Sequence, residues 1–195
     1  TPLTNGNFES VMAPNLFTGW SYLNGMDSFS VSYDMVHGGS SSLKAVNSGM
    51  TNSFNLQVLA PAFPTVVGLQ YTFKIWIKAL NNNTNTIQFA KRDGSGGNEN
   101  GYTTTGTIPS QWTELSYTFT AQYSSTRITI NLGGATANTY YLDDACMVEP
   151  SIPAPTCLIS NGGFEQGSGN TFTDWSIFNV IAGVTVSQET VMVRS

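Results

Sequence analysis

Apolar residues recur along this chain at every second position, not every third or fourth. In residues 70–79, Phe73, Ile75 and Ile77 alternate with Lys74, Trp76 and Lys78. A period of two places one set on a core and the other on the opposite face of a β-strand. Residues 127–132 read the same way. Ile128, Ile130 and Leu132 face inward, and Arg127, Thr129 and Asn131 share the outer face. Gln88 lies opposite its neighbours Ile87 and Phe89. Further strands are expected at 28–33, 41–46, 54–59, 86–91, 112–120 and 140–148, with Pro61 and Pro64 closing the third of these. No stretch sustains helical spacing, and Gly, Pro or Asn interrupts nearly every candidate. About nine short strands with frequent turn signals predict an all-β fold, an antiparallel β-sandwich jelly roll.

The chain also repeats itself. Asn5-Gly6-Asn7-Phe8-Glu9 followed by Phe17-Thr18-Gly19-Trp20-Ser21 returns as Asn161-Gly162-Gly163-Phe164-Glu165 followed by Phe172-Thr173-Asp174-Trp175-Ser176. A spacing of about 155 residues is too long for a solenoid unit and suits a whole domain. The expected organisation is a complete domain over 1–149, a Pro-rich linker over 150–158 and the opening of a second copy over 159–195. That second copy lacks the strands needed to close, so the chain reads as a piece of a longer tandem protein. A linker with three prolines spaces domains semi-rigidly.

Composition narrows the picture. Charged residues make up 10% of the chain, against about 25% in typical domains. Ser, Thr, Asn and Gly take their place, as suits an extracellular β-protein. A net charge of −5, with seven Lys and Arg in all, argues against nucleic acid or an anionic membrane as a partner. No apolar window is long enough to span a membrane. The chain does not begin with Met, which is consistent with a removed signal peptide. Cys146 and Cys157 flank the linker; they either pair across it or remain unrelated thiols. With the single His37 they form no recognisable zinc spacing. The sequon Asn82-Asn83-Thr84 would be accessible to glycosylation.

An ordered series of motifs carries a resemblance. It runs through Asn-Gly-Asn-Phe-Glu, Gly19-Trp20, residues 37–44 (His-Gly-Gly-Ser-Ser-Ser-Leu-Lys), residues 71–79 and Leu132-Gly133-Gly134, and ends at Tyr141-Leu142-Asp143-Asp144. In that order it resembles the carbohydrate-binding modules of the family 4, 9, 16 and 22 type. These are galactose-binding-like jelly rolls that hold polysaccharide in a concave cleft, usually beside secreted glycoside hydrolases. The resemblance implies a structural Ca²⁺ tying the first strand to the last, through Asn7, Glu9, Gly39 to Ser41, Asp143 and Asp144. Ca²⁺ takes six to eight hard oxygens from carboxylates and backbone, so the residue types suit it. The competing reading is that Glu9 and Asp143 simply bond turns and backbone amides.

The resemblance also implies a sugar cleft formed by Gln57, Gln88, Tyr102, Arg127 and Asn131, with Trp20 or Tyr22 at its mouth. A pyranose offers C–H faces to aromatic rings and hydroxyls to amides or guanidinium. For Trp20 the alternative is a core role. The Gly-rich loop over 92–101 predicts a flexible rim, and no aromatic pair flanking a cleft is evident. Trp76 reads as a second platform or a surface under a neighbouring domain, and Trp112 as structural.

Catalysis is not expected. His37 has no Ser or Cys partner, the best carboxylate cluster is the calcium corner, and Asp93 and Glu99 lie on the loop. Two function classes follow. One is a non-catalytic module binding β-glucan-like polysaccharide for a secreted or cell-surface protein, with further copies of the same domain. The other is a structural jelly-roll repeat of an adhesin, sheath or filament, with self-assembly and no sugar ligand.

Overall fold

The computed structural model describes residues 3–13, 16–82, 85–150, 167–168 and 171–172. The chain divides into two units, Thr1–Pro150 and Ser151–Ser195. In the second, the described part is a hairpin of Gly167–Ser168 with Thr171–Phe172. The linker, the rest of the second copy, Cys157 with its pairing to Cys146, and Asn83 and Thr84 of the sequon lie outside the described residues.

The first unit opens with β1 (Val11–Ala13) paired to β2 (Leu16–Phe17). Short strands follow: β3 (Ser21–Leu23), β4 (Phe29–Ser32), β5 (Ser42–Asn47), β6 (Gln57–Leu59) and β7 (Phe63–Pro64). Longer ones complete it: β8 (Gln70–Ala79), β9 (Thr86–Asp93), β10 (Asn100–Thr107), β11 (Thr113–Thr120), β12 (Ser125–Asn131) and β13 (Asn138–Val148).

Two antiparallel sheets face each other. One has the order β10-β9-β12-β6-β3, with β7 also on β12, and the other β11-β8-β13-β5-β4. The crossings between sheets are those of an antiparallel jelly-roll sandwich. Alternation predicts the inner faces correctly. Phe73, Ile75 and Ile77 from β8 meet Phe89, Ile128 and Ile130 from the other sheet, all fully buried. Each such side chain contributes roughly 1.5–3 kcal/mol of transfer free energy. Rings bridge the layers, with Phe89 stacked on Tyr117 and Tyr117 on Phe119.

The sequence reading lacks the short strands β1, β2, β3 and β7 and, among the longer ones, β10. This last strand is Thr-rich, lies at a sheet edge and has no buried residue, so no apolar alternation announces it. Residues 54–56 also differ, because a 3-10 turn over Ser53–Asn55 delays β6 to Gln57. Among the described residues no helix is long and apolar enough to cross a membrane.

Replacing Phe73 by Ala should cost about 3–5 kcal/mol, read by urea unfolding. Thr104→Ala on the exposed edge should stay within about 0.5 kcal/mol.

Candidate functional site

Three adjacent strands place three amides side by side. In register, Asn131 on β12 faces Gln88 on β9 and Gln57 on β6. Their neighbours Ile130, Phe89 and Val58 go to the core, so the amides take the outer face. They are wired together there. Asn24 Nδ2 donates to Gln57 Oε1 at 3.3 Å, Gln57 Nε2 to Asn131 Oδ1 at 2.7 Å, and Asn131 Nδ2 to Gln88 Oε1 at 3.1 Å. Ser53 Oγ donates to the same Gln88 oxygen at 3.4 Å. An amide nitrogen has two N–H groups; Asn24 spends its second on Phe54 O at 2.9 Å, while Gln57 and Asn131 each keep one for a ligand.

This row lines a cleft of about 480 Å³, bounded by Asn24, Ser53, Phe54, Gln57, Gln88, Glu99, Tyr102 and Asn131. The volume lies in the range of ligand sites, about 300–1,000 Å³. Four predicted residues, Gln57, Gln88, Tyr102 and Asn131, therefore meet in one place. Sequence reasoning missed Asn24, Ser53, Phe54 and Glu99. Phe54 is 51% exposed and Tyr102 54%. The cleft thus has two accessible rings, correcting the expectation that no aromatic pair flanks it. Phe54 was hidden because its segment read as a strand start.

The rim over 92–101 is organised, in contrast to the flexible loop expected. Asp93 Oδ1 accepts from the Ser95 and Gly97 backbone N–H groups at 2.9 and 3.3 Å, and Asn98 Nδ2 donates to its Oδ2. The Ser95 hydroxyl bond, first among these causes, holds the Asp93 carboxyl below its ordinary pKa. Arg92 pairs with Glu99, and its Nε donates to Thr129 Oγ1 at 2.8 Å.

Three predicted cleft residues stand elsewhere. Trp20 is 6% exposed, stacks on Phe8 at 4.4 Å and donates its indole N–H to Asn5 O at 2.9 Å. It is a core residue, not a residue of the mouth. Tyr22 is also buried, and its hydroxyl accepts from the Phe17 N–H at 3.4 Å. Both belong to the packing of the N-terminal segment, and the core role of Trp20 accounts for its recurrence as Trp175, where Tyr22 is replaced by the apolar Ile177. Arg127 does lie on the outer face, but outside the cleft lining. Its Nε donates to Ala60 O at 2.8 Å and its Nη2 to Ser21 Oγ at 2.9 Å, so it ties down β3 and the chain after β6.

The predicted calcium residues gather at another corner. Glu9 Oε1 accepts from the Ser40 and Ser41 N–H groups at 2.9 and 3.1 Å. Asp143 Oδ2 accepts from the His37 and Gly38 N–H groups at 2.9 and 3.2 Å, and its Oδ1 from Asp144 N–H at 2.8 Å. Asp144 Oδ2 meets His37 Nδ1 at 2.7 Å. Gly39 has φ +63, and a Cβ there would strike Glu9 Oε1. Ser41 Oγ donates to Phe8 O at 2.7 Å, and Asn7 and Asp144 line a second hollow of about 410 Å³.

The hydrogen bonds lower the pKa of Glu9, the Ser40 hydroxyl first. Burial instead pushes Asp143 up, with the neighbouring Asp144 charge adding to it. Phe8 and Asp144 hold left-handed backbone at φ 54 and 46; Asp tolerates this conformation, but for Phe it is unusual and is often found at ligand clamps. Among the described residues no three His, Cys, Asp or Glu side chains are grouped to hold a metal.

On the other sheet, His37 stacks on Trp76 at 4.0 Å and meets Trp112 edge-on at 5.5 Å. One face of Trp76 is thereby covered by the protein itself.

The family model described as "Carbohydrate binding domain" matches residues 2–139. No curated protein matches in sequence. Among solved structures, TmCBM61 in complex with β-1,4-galactotriose is 16% identical with a TM-score of 0.56, over 76% of this chain and 97% of that one. The CBM22-1 xylan-binding domain of Paenibacillus barcinonensis Xyn10C is 15% identical with a TM-score of 0.53, over 76% and 93%. The N-terminal cellulose-binding domain of Cellulomonas fimi β-1,4-glucanase C is 19% identical with a TM-score of 0.50, over 78% and 99%. At these identities the likeness is one of fold.

Burial pushes the Tyr22 and Tyr117 phenols up to about 12 from the ordinary 10.0. Unfolding lets both ionise sooner, so their stabilisation holds below pH 10 and is lost as pH rises toward 12. Stability should fall there by about 1.4 kcal/mol per pH unit for each phenol. Tyr22→Phe should remove its share of the slope in urea melts.

Proposed function

The chain belongs to the carbohydrate-binding domain family, and we propose that the amide-floored cleft of its first unit binds a neutral, β-glucan-like polysaccharide. The observation that carries this reading is the in-register row of Gln57, Asn131 and Gln88 between two exposed rings. The amides have N–H donors to spare for sugar hydroxyls. Phe54 and Tyr102 offer faces for pyranose C–H groups. The cleft is open, as a long polymer needs. β-1,4-Galactotriose, xylan and cellulose, named for similarly folded modules, are in keeping with a β-linked chain. The role is non-catalytic, since the cleft contains Glu99 as its one titratable carboxylate, and Arg92 holds it. A paired acid and base of the glycosidase kind needs two. The protein would act outside the cell, holding a larger polypeptide with further copies of the domain on its polysaccharide, where linked copies gain avidity.

Affinity electrophoresis in barley β-glucan, xylan and β-1,4-galactan tests this directly. At least one should retard the protein. Gln88→Ala and Tyr102→Ala should each weaken that binding about tenfold or more, and Trp76→Ala on the other sheet should not. Full retardation of both cleft variants would contradict the reading.

A calcium ion at the corner of Glu9, Asp143 and Asp144 is part of the same proposal. Its support is a fully buried Asp143 with a second carboxylate beside it and left-handed backbone at Phe8 and Asp144. With side chains too few to hold a metal alone, carbonyl oxygens of residues 7 and 39–41 would complete the set. Bound, the ion would neutralise these carboxylates and fasten the first segment to β13. Chelation should lower the melting temperature by about 2–8 °C, and added Ca²⁺ should restore it. An unmoved transition would leave the hydrogen bonds as the whole fastening.

A further inference from the structure

Glu99 occupies an unusual position at the edge of the cleft. Its Oε2 is gripped by Arg92 Nη2, and both side chains are 14% exposed. Arg92 is itself fixed, because its Nε donates to Thr129 Oγ1 at 2.8 Å and its Nη1 to Gly96 O at 2.9 Å. One guanidinium therefore joins β12, the rim and the carboxylate, using the planar fork that only arginine provides. The other carboxylate oxygen, Glu99 Oε1, is buried with no hydrogen-bond donor. Native structures rarely keep a buried polar atom in that condition without a reason.

Three residues on, Tyr102 lines the same cleft as Glu99. After burial, the Glu99 charge is the next cause that raises its phenol above the ordinary value. Its side chain is otherwise exposed, on an edge strand with little packed around it. Such a ring stacks well on a sugar only if something holds its angle, since ordering it on binding costs entropy.

We propose that Glu99 is the positioning residue for Tyr102. Arg92 holds the carboxylate so that Oε1 takes the Tyr102 hydroxyl as its donor, and this fixes the ring as the aromatic wall of the cleft. The wall then needs no packed core behind it. The sugar half of this inference rests on the cleft reading above; the contact between Glu99 and Tyr102 does not.

The test uses the full chain with Glu99→Gln, Tyr102→Phe and the double variant. The Tyr102 phenol is titrated without glycan by ¹³Cζ NMR, its signal being the one that Tyr102→Phe removes. Glu99→Gln should move that titration down toward the ordinary tyrosine value. Affinity is then measured for whichever of barley β-glucan, xylan or β-1,4-galactan binds best. Each single change should weaken it about three- to tenfold, and the double variant should be no weaker than either, because the two act through one contact.

An unmoved Tyr102 titration in Glu99→Gln, or losses that multiply in the double variant, would overturn the proposal while leaving the cleft reading intact. A shifted titration with no glycan bound by any variant would keep the contact and sink the cleft reading. If Glu99→Gln fails to fold, Arg92→Lys replaces it. That change keeps the charge but loses the fork, and should lower both the Tyr102 titration point and the affinity.

Discussion

Everything at the cleft depends on one constraint: β12 must bury one face against the opposite sheet. Thr126, Ile128 and Ile130 are fully buried in the core. With a period of two, that leaves Arg127, Thr129 and Asn131 on the outside, and a slip of one residue would reverse every position. The same register then brings Gln88 and Gln57 to either side of Asn131. The site is a by-product of core packing, held by backbone ladders that the core stabilises. This is why the floor amides Gln57, Gln88 and Asn131 sit on strands while the aromatic walls come from a turn and an edge strand.

The floor of the cleft is polar yet almost inaccessible: Gln57 and Asn131 are 3% and 1% exposed. Buried amides are costly unless bonded, and each here finds a partner in the next. The chain of bonds fixes which way each amide points, so the unused N–H groups have set directions. A preordered donor array of this kind loses little entropy when a sugar arrives. Arg127 serves the array indirectly, by anchoring the Gly19–Ser21 segment that leads into β3, beside β6.

Much of this was legible in the sequence because it obeys alternation. The long strand β8 and the outer-face placement of Gln88, Arg127 and Asn131 follow from period two alone. Family resemblance added Gln57 and Tyr102. What alternation cannot show is depth. Trp20 and Tyr22 flank Ser21, between Gly19 and Leu23, and nothing local tells that Phe8 covers one and the core the other. Phe54 was misread because a 3-10 turn breaks the strand pattern at Ser53–Asn55. The order of the 92–101 rim was also invisible, since Gly and Asn signal flexibility while the Arg92–Glu99 pair and the Asp93 turn that cancel it are tertiary and side-chain effects. β10 escaped notice because an edge strand of threonines buries nothing.

The central claim is that the amide row of the six-stranded sheet is the surface that meets sugar. Side-chain amide NMR reports on it most directly, in a titration with soluble barley β-glucan and β-1,4-galactan fragments. The account predicts that the NH₂ signals of Gln57, Gln88 and Asn131 shift together and saturate with one dissociation constant, while the Trp76 and Trp112 indole signals stay still. Saturating shifts confined to those indoles, with the three amides unmoved, would contradict it.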